Sequence, residues 1–280
     1  MTIRRIFVAA LILIGLSYFL SRVFSGYLIL PQTFHFGPIV VYYYGIIIAF
    51  AVASAFYLAL KRSAKFGIDR QIAEDIIFWL IIGCFIGARI YHILSSAGYY
   101  HSHPLDMLKV WQGGLSIYGA ILGGLIVVLV LAISYKLKAI SLLDWLTPSI
   151  LLGQIVGRFG NLFNYEAFGY PTRLPWKMFV PQAFRPTTLE NFQYFHPLFL
   201  YEALGNALIL FFLLRYCKNS SYGGLFFKYL LLYNVLRLFL EFLRVDSVFI
   251  GSLRLNSLAS LILAIFSLVV LLRIHYAKVS

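Results

Sequence analysis

The chain reads as an all-α integral membrane protein, a polytopic helical bundle, on three observations. Hydrophobic residues make up 61% of its 280 residues and charged residues only 12%, with a mean hydropathy of +0.87, which leaves too little polar material to cover a water-facing surface. Apolar stretches of about 20 residues, the length that crosses a hydrocarbon core, recur from one end of the chain to the other. The basic residues lie between those stretches and form no single patch, so the net charge of +13 is a topological signal and gives no ground for a nucleic-acid partner.

The predicted spans cover residues 6–25, 38–60, 74–96, 116–134, 144–163, 198–216, 222–243 and 255–273. The first, within MTIRRIFVAALILIGLSYFL, has a basic head and an apolar middle like a secretory signal, yet no small-residue cleavage site follows at SRVFSGY. It is expected to be a retained signal anchor, residues 1–25. The remaining seven spans make one domain, 26–280, because no tandem repeat, low-complexity linker or composition shift divides it. The long polar connection at 169–196 is punctuated by prolines, and a loop of that length in a compact protein usually serves as a lid or substrate platform. Counting Lys and Arg with the N-terminus inside gives twelve cytoplasmic residues (Arg4, Arg5, Lys61, Arg62, Lys65, Arg70, Lys136, Lys138, Arg215, Lys218, Arg273 and Lys278) against seven outside. Both termini are therefore expected in the cytoplasm. Cys84 and Cys217 fall in or at the end of apolar spans without metal-ligand spacing, so neither a disulfide nor a metal site is predicted.

Ionisable side chains inside the bilayer cost at least about 2.5–3.5 kcal/mol on insertion scales, so each needs a partner or a function. Gln154, Arg158, Asn161 and Tyr165 are spaced by 4, 3 and 4 in the fifth span, and Tyr233, Arg237, Glu241 and Arg244 by 4, 4 and 3 in the seventh. Each set falls on one helical face. Glu202 and Asn206 are four apart in the sixth span, Arg89 and His92 end the third, and Asp144 with Pro148 opens the fifth. One reading makes these groups polar glue between helices, each bond worth about 0.6 kcal/mol on average. The other starts from the excess of arginine over buried carboxylate: unpaired guanidinium groups in a bundle require an anion, and a lipid phosphate is the obvious one.

Glycines give a second pattern. Gly83/Gly87 and Gly153/Gly157 have the spacing of closely packed helices. The run from Gly113 to Gly124 around Tyr118 is open to two readings, close packing or a backbone that approaches a ligand.

Residues 157–169, GRFGNLFNYEAFG, resemble the signature of the phosphatidylglycerol:prolipoprotein diacylglyceryl transferase family, roughly G-R-x-G-N-F-x-N-x-E-x-x-G, with Leu162 in place of phenylalanine. VYYYG at 41–45, GARI at 87–90, VWQGGLSIYGAILGG at 110–124, HPLFLYE at 196–202 and YNVLRLFLEFLRVD at 233–246 resemble further family stretches in the same order. The resemblance implies seven membrane helices with an outside N-terminus, which residues 26–280 reproduce, and makes the first span an added anchor. It implies that Arg158 and Arg237 hold a lipid phosphate and that Asn161, Glu166 and Gly169 complete the signature. Tyr44, Glu202, Tyr233 and Glu241 match polar positions of the site, and Arg89 and Asp144 supporting ones. Tyr118 stands where some members carry histidine, and Ala120 replaces a glycine. Whether the Tyr118 hydroxyl removes a proton or only hydrogen-bonds the phosphate or thiol stays open.

The implied activity transfers the sn-1,2-diacylglyceryl group of phosphatidylglycerol to the cysteine thiol of a prolipoprotein signal peptide in the bacterial inner membrane, without a cofactor. Its partners would be that lipid, that peptide and the bilayer. A membrane anion or lipid transporter would also use intramembrane arginines, but it should show symmetry between halves, which this sequence lacks. A purely structural subunit would not need three arginine-bearing spans.

Overall fold

A computed structural model describes residues 3–217, 222–251 and 253–279. Lys218, one of the basic residues counted for topology, lies outside them. The elements follow the order α1 (Ile3–Phe24), β1 (Thr33–Phe36), β2 (Ile39–Tyr42), α2 (Tyr43–Ser63), α3 (Arg70–Ser95), α4 (Ala97–Ser102), α5 (Ile117–Ser134), α6 (Ala139–Asn164), β3 (Met178–Phe179), β4 (Tyr194–Phe195), α7 (Leu198–Tyr216), α8 (Gly224–Glu241), β5 (Phe249–Ile250), β6 (Leu253–Arg254) and α9 (Leu255–Val279). Each predicted span takes in most of a long helix, but the second, 38–60, opens on strand β2 and is helical only from Tyr43. The fold is an all-α polytopic bundle. Among the described residues, six helical segments are long and apolar enough to cross a membrane: Tyr43–Phe66, Arg70–Ser95, Ile117–Ser134, Ala139–Asn164, Leu198–Tyr216 and Leu255–Ala277. In α1 the stretch Ile14–Phe24 is a shorter apolar helix, and α8 is 18 residues long and carries Lys228, Arg237 and Glu241.

The usual distribution of polarity is inverted. Ile121, Ile126, Ile133, Leu208, Phe239 and Ile262 are exposed, while Arg89, Asp144, Glu202, Asn206 and Glu241 are buried. Lipid solvates the first set, and only protein can satisfy the second.

The chain forms two compact units, whose boundaries fall inside α2, α6 and α8. One comprises described residues 55–150 and 222–226. Its core joins Ala59, Ile76, Ile77, Val128, Leu142 and Trp145, with the Trp145 indole Nε1 donating to the Ala59 carbonyl at 2.9 Å. Along the seam between α3 and α5, a Cβ on Gly87 would collide with the Gly119 carbonyl and one on Gly123 with the Gly83 carbonyl. The glycines therefore let the two backbones touch. This resolves the glycine run: Gly119, Gly123 and Gly124 pack against α3, whereas Gly113 and Gly114, at φ +91° and +76°, lie in the preceding loop.

The other unit comprises described residues 3–54, 151–217, 227–251 and 253–279. Antiparallel β1 and β2 turn at Gly37, φ +59°, before α2. The loop at 169–196 closes on itself through β3 and β4 and places Met178, Val180 and Phe195 in a core with Val23, Leu30, Leu162, Tyr165 and Phe199. Gly157 departs from the packing expectation: a Cβ there would stand 3.5 Å from Ile48 Cδ1, an ordinary contact, so close approach does not demand glycine.

Candidate active site

The sequence places arginine on α6 and α8 and glutamate on α7, and the fold joins them. The Arg158 Nη2 donates to Glu202 Oε1 at 2.5 Å, and the Arg237 Nη1 to the other oxygen, Oε2, at 3.0 Å. The Tyr233 hydroxyl, one helical turn before Arg237, donates to Glu202 Oε1 at 3.2 Å. Arg237 Nη2 lies 3.4 Å from Glu241 Oε2. The other Glu241 oxygen accepts from Ser247 Oγ at 2.9 Å and Asn256 Nδ2 at 3.1 Å, while the Arg254 guanidinium donates to the Glu241 backbone carbonyl. Three helices thus converge on one carboxylate.

Of the two readings of these charges, polar glue between helices and arginine in excess of carboxylate, the first describes the resting arrangement: Arg158 and Arg237 both pair with Glu202. The four charges Arg158, Arg237, Glu202 and Glu241 sum to zero. Desolvating such a cluster is offset only by good geometry and extra hydrogen bonds, and removing one member typically costs about 3–5 kcal/mol.

The cluster has a closed and an open end. The Glu241 side chain is 1% exposed and the Glu202 side chain 4%, whereas that of Arg158 is 25% exposed. Arg158 has one protein partner among the described residues, so Nε and Nη1 keep free donors. Around it lie Tyr44, within electrostatic reach of Arg158 and Glu166, and half-buried Asn161. Gly160 is required there, because a Cβ would press to 2.8 Å on the Tyr44 ring.

The end of the signature is held by its backbone. α6 stops at Asn164, and Tyr165 and Ala167 both adopt φ +53°, a conformation that L residues hold only when their surroundings impose it. Tyr165 is imposed on twice: its hydroxyl accepts from the Leu30 amide at 2.6 Å and its ring stacks on Phe184 at 4.9 Å. Burial raises the proton affinity of that phenol, with the Leu30 hydrogen bond opposing. Tyr165 has therefore left the helical face on which its spacing placed it with Arg158. Glu166 is exposed, accepting from Asn164 Nδ2 at 3.2 Å, and its backbone amide donates to the Asn161 carbonyl at 3.0 Å. Gly169 donates to the His196 carbonyl at 2.9 Å, and a Cβ on it would lie 2.6 Å from the Leu243 carbonyl, so its role is steric. Burial lowers the basicity of His196, whose Nδ1 lies 3.1 Å from the Tyr201 hydroxyl. Arg244 likewise leaves its predicted face: it lies past the end of α8 and forms a two-pronged pair with Asp246 at 2.8 and 2.6 Å.

Three expected site residues belong to the other unit. Arg89 is buried and donates to four backbone carbonyls: Asp106 at 2.6 Å, Gly113 at 2.7 Å, Gly114 at 3.0 Å and Met107 at 3.1 Å. Gly114 has no room for a side chain beside that guanidinium. Asp144 accepts from the amides of Gly223 at 2.6 Å and Phe226 at 2.7 Å and so caps the start of α8. Tyr118 is exposed, its ring 6.0 Å from that of Tyr91. Sequence reasoning missed Arg254, Ser247 and Asn256; the signal for Arg254 and Asn256 was RLNS at the mouth of the last span, and Ser247 follows Asp246 just past α8.

Residues 31–273 match the family described as prolipoprotein diacylglyceryl transferase. A Thermotoga maritima protein named phosphatidylglycerol-prolipoprotein diacylglyceryl transferase is 39% identical over 261 residues, 91% of this chain and 88% of its own length. Proteins of the same name from Acaryochloris marina (40% over 235 residues, 83% and 86%) and Synechocystis (38% over 242 residues, 84% and 86%) are similar to the same extent. With the match spanning most of the sequence, the chain belongs to the prolipoprotein diacylglyceryl transferase family.

Proposed function

We propose that this multi-pass membrane protein transfers the sn-1,2-diacylglyceryl group of phosphatidylglycerol to the lipobox cysteine thiol of prolipoproteins, forming a thioether and releasing glycerol 1-phosphate. It would do so in the bacterial inner membrane with both termini cytoplasmic, the first 25 residues acting as an anchor for a transferase domain over 26–280. One observation carries the reading: two guanidinium groups from separate helices meet on one carboxylate, and the more exposed of them, Arg158, keeps free donors. Arg158 and Arg237 bind the phosphate and stabilise the charge that develops on it as the carbon–oxygen bond breaks. A planar guanidinium suits this because it bonds a phosphate through two donors at once.

Tyr233 and Glu241 keep Arg237 in place, Tyr44 and Asn161 flank the open end, Glu166 and Gly169 shape the turn after α6, and Arg89 and Asp144 support the fold. Tyr118 enters on the motif alone, as a hydrogen-bond donor to phosphate or thiol. The test is to incubate the purified protein with phosphatidylglycerol and a lipobox peptide and to look by mass spectrometry for a diacylglyceryl adduct on cysteine. An unmodified peptide with intact, inserted protein would refute the reading.

A further inference from the structure

A thiol is a poor nucleophile until it loses its proton, and the transfer proposed above leaves the proton acceptor unassigned. We infer that Glu202 takes the thiol proton, and that it becomes free to do so only when the lipid phosphate claims Arg158 and Arg237. The inference rests on that transfer reading.

Glu202 is 3% exposed and bound by three donors, Arg158, Arg237 and Tyr233. In the resting arrangement it occupies the same guanidinium donors that a phosphate needs. Arg158 comes from α6; Tyr229, Tyr233, Arg237 and Glu241 come from α8, and Arg244 beyond it is within electrostatic reach. Arg254 adds a further positive charge at the Glu241 backbone carbonyl, but it makes no contact with Glu202, so a phosphate monoanion that claims Arg158 and Arg237 leaves Glu202 without its two counter-ions beside a second anion. Two anions sharing a low-dielectric site repel strongly, and one proton removes the repulsion. Glu202 is the carboxylate that gives up its counter-ions to the phosphate. Glu241 keeps Ser247 and Asn256 whatever Arg237 does, and Glu166 is exposed and held by Asn164.

The step balances. The S–H bond breaks and its proton moves to a Glu202 oxygen; the sulfur electron pair forms the S–C bond to the glyceryl carbon; the bond from that carbon to the phosphate ester oxygen breaks and its pair stays on that oxygen. The leaving glycerol phosphate then takes the proton from Glu202, which closes again on the two arginines. The geometry makes the acceptor conditional: no lipid, no free carboxylate, and no wasted ionisation of the peptide.

The test compares full-length wild type with Glu202→Gln on two lipobox peptides, one with cysteine and one with selenocysteine, whose selenol is already ionised at neutral pH. With the cysteine peptide, Glu202→Gln is expected to lower kcat by about 10²–10⁴-fold, the usual weight of a positioned proton acceptor, while KM for phosphatidylglycerol stays level or falls. With the selenocysteine peptide the variant should approach the wild-type rate. Glu202→Asp retains the charge but pulls it back, and should slow the cysteine peptide more than the selenocysteine one, which keeps the test open should the glutamine variant fail to insert. Equal losses on both peptides, or a wild-type rate of Glu202→Gln on cysteine, would overturn the inference. A wild type that labels neither peptide would instead overturn the transfer reading.

Discussion

Arg89 and Arg158 are both arginines inside apolar helices, and sequence spacing treats them alike. Their surroundings do not. Arg89 spends four of its five N–H donors on backbone carbonyls of the loop before α5, with the Tyr100 ring 5.6 Å from the guanidinium carbon, so it chiefly holds a loop in shape. Arg158 gives one hydrogen bond to one carboxylate and keeps the rest of its donors. The difference teaches that, between two intramembrane arginines that spacing treats alike, unspent hydrogen-bonding capacity points to the one that can take a ligand.

The comparison breaks most directly if Arg158 proves dispensable. Arg158→Ala, in membranes with verified insertion, should lower transfer by about 10³-fold or more, since loss of even one preorganised donor to a developing oxyanion costs about 10²–10³-fold. Arg158→Lys should recover little, because an ammonium cannot reproduce the planar fork. Arg158 is the most exposed member of the cluster and Glu202 retains Arg237 and Tyr233 in both variants, so the stability loss should fall short of the cost of breaking a fully buried pair. Near-normal adduct formation by either variant would sink the phosphate clamp.

Arg89→Lys tests the other half. Lysine keeps the charge but reaches fewer of the four carbonyls, and each buried acceptor left without a donor costs about 1–3 kcal/mol. The expected result is a loss of about 2 kcal/mol or more in stability, with the KM for phosphatidylglycerol of the surviving protein unchanged. A variant of normal stability with a raised KM would place Arg89 at the lipid.

The helices and the pairing of stripes were legible because lipid makes hydrophobicity and charge unusually informative: most of each long helix fell within a predicted span, and Arg158, Glu202, Arg237 and Glu241 stood out against apolar neighbours. What periodicity missed lies where the chain stops being periodic. Tyr165 and Arg244 fit helical spacing but follow the last residues of α6 and α8, where a left-handed turn and an ion pair with Asp246 redirect them. The Arg89 cage and the Asp144 cap join residues 17–25 and 79–82 positions apart in sequence. Only the folded chain supplies such pairings.

The glycines sharpen the comparison further, since those that pack should affect stability and not chemistry. Gly119→Ala drives a methyl into the Gly87 carbonyl and the Tyr91 side chain, and overpacking of this kind costs about 1–3 kcal/mol. Cys84, which would lie 2.9 Å from a Cβ on Gly124 in the same seam, reports the opening. Maleimide should label it faster in the variant, with buried Cys217 as the slow internal reference. An unchanged Cys84 rate with normal thermal stability would show that the seam tolerates a side chain.

The smallest effect, and the one of opposite sign, is expected at Asn206. It sits one turn beyond Glu202 on α7, is fully buried, and has no protein partner for either Nδ2 or Oδ1 among the described residues. It is thus the reverse of Arg89, a polar group whose capacity is unspent and which has no exposed surface. A buried unpaired amide costs about 1–3 kcal/mol, and replacing it by an apolar group of similar shape removes that cost. Asn206→Leu should therefore leave stability unchanged or raise it by about 1 kcal/mol, provided the branched side chain fits, and transfer should continue at close to the wild-type rate. A marked fall in kcat with stability intact would mean that Asn206 does hold something, namely a water or group that orients Glu202 from below. The comparison of the two arginines, in which unspent capacity points to a site, would then extend to residues with no exposure at all.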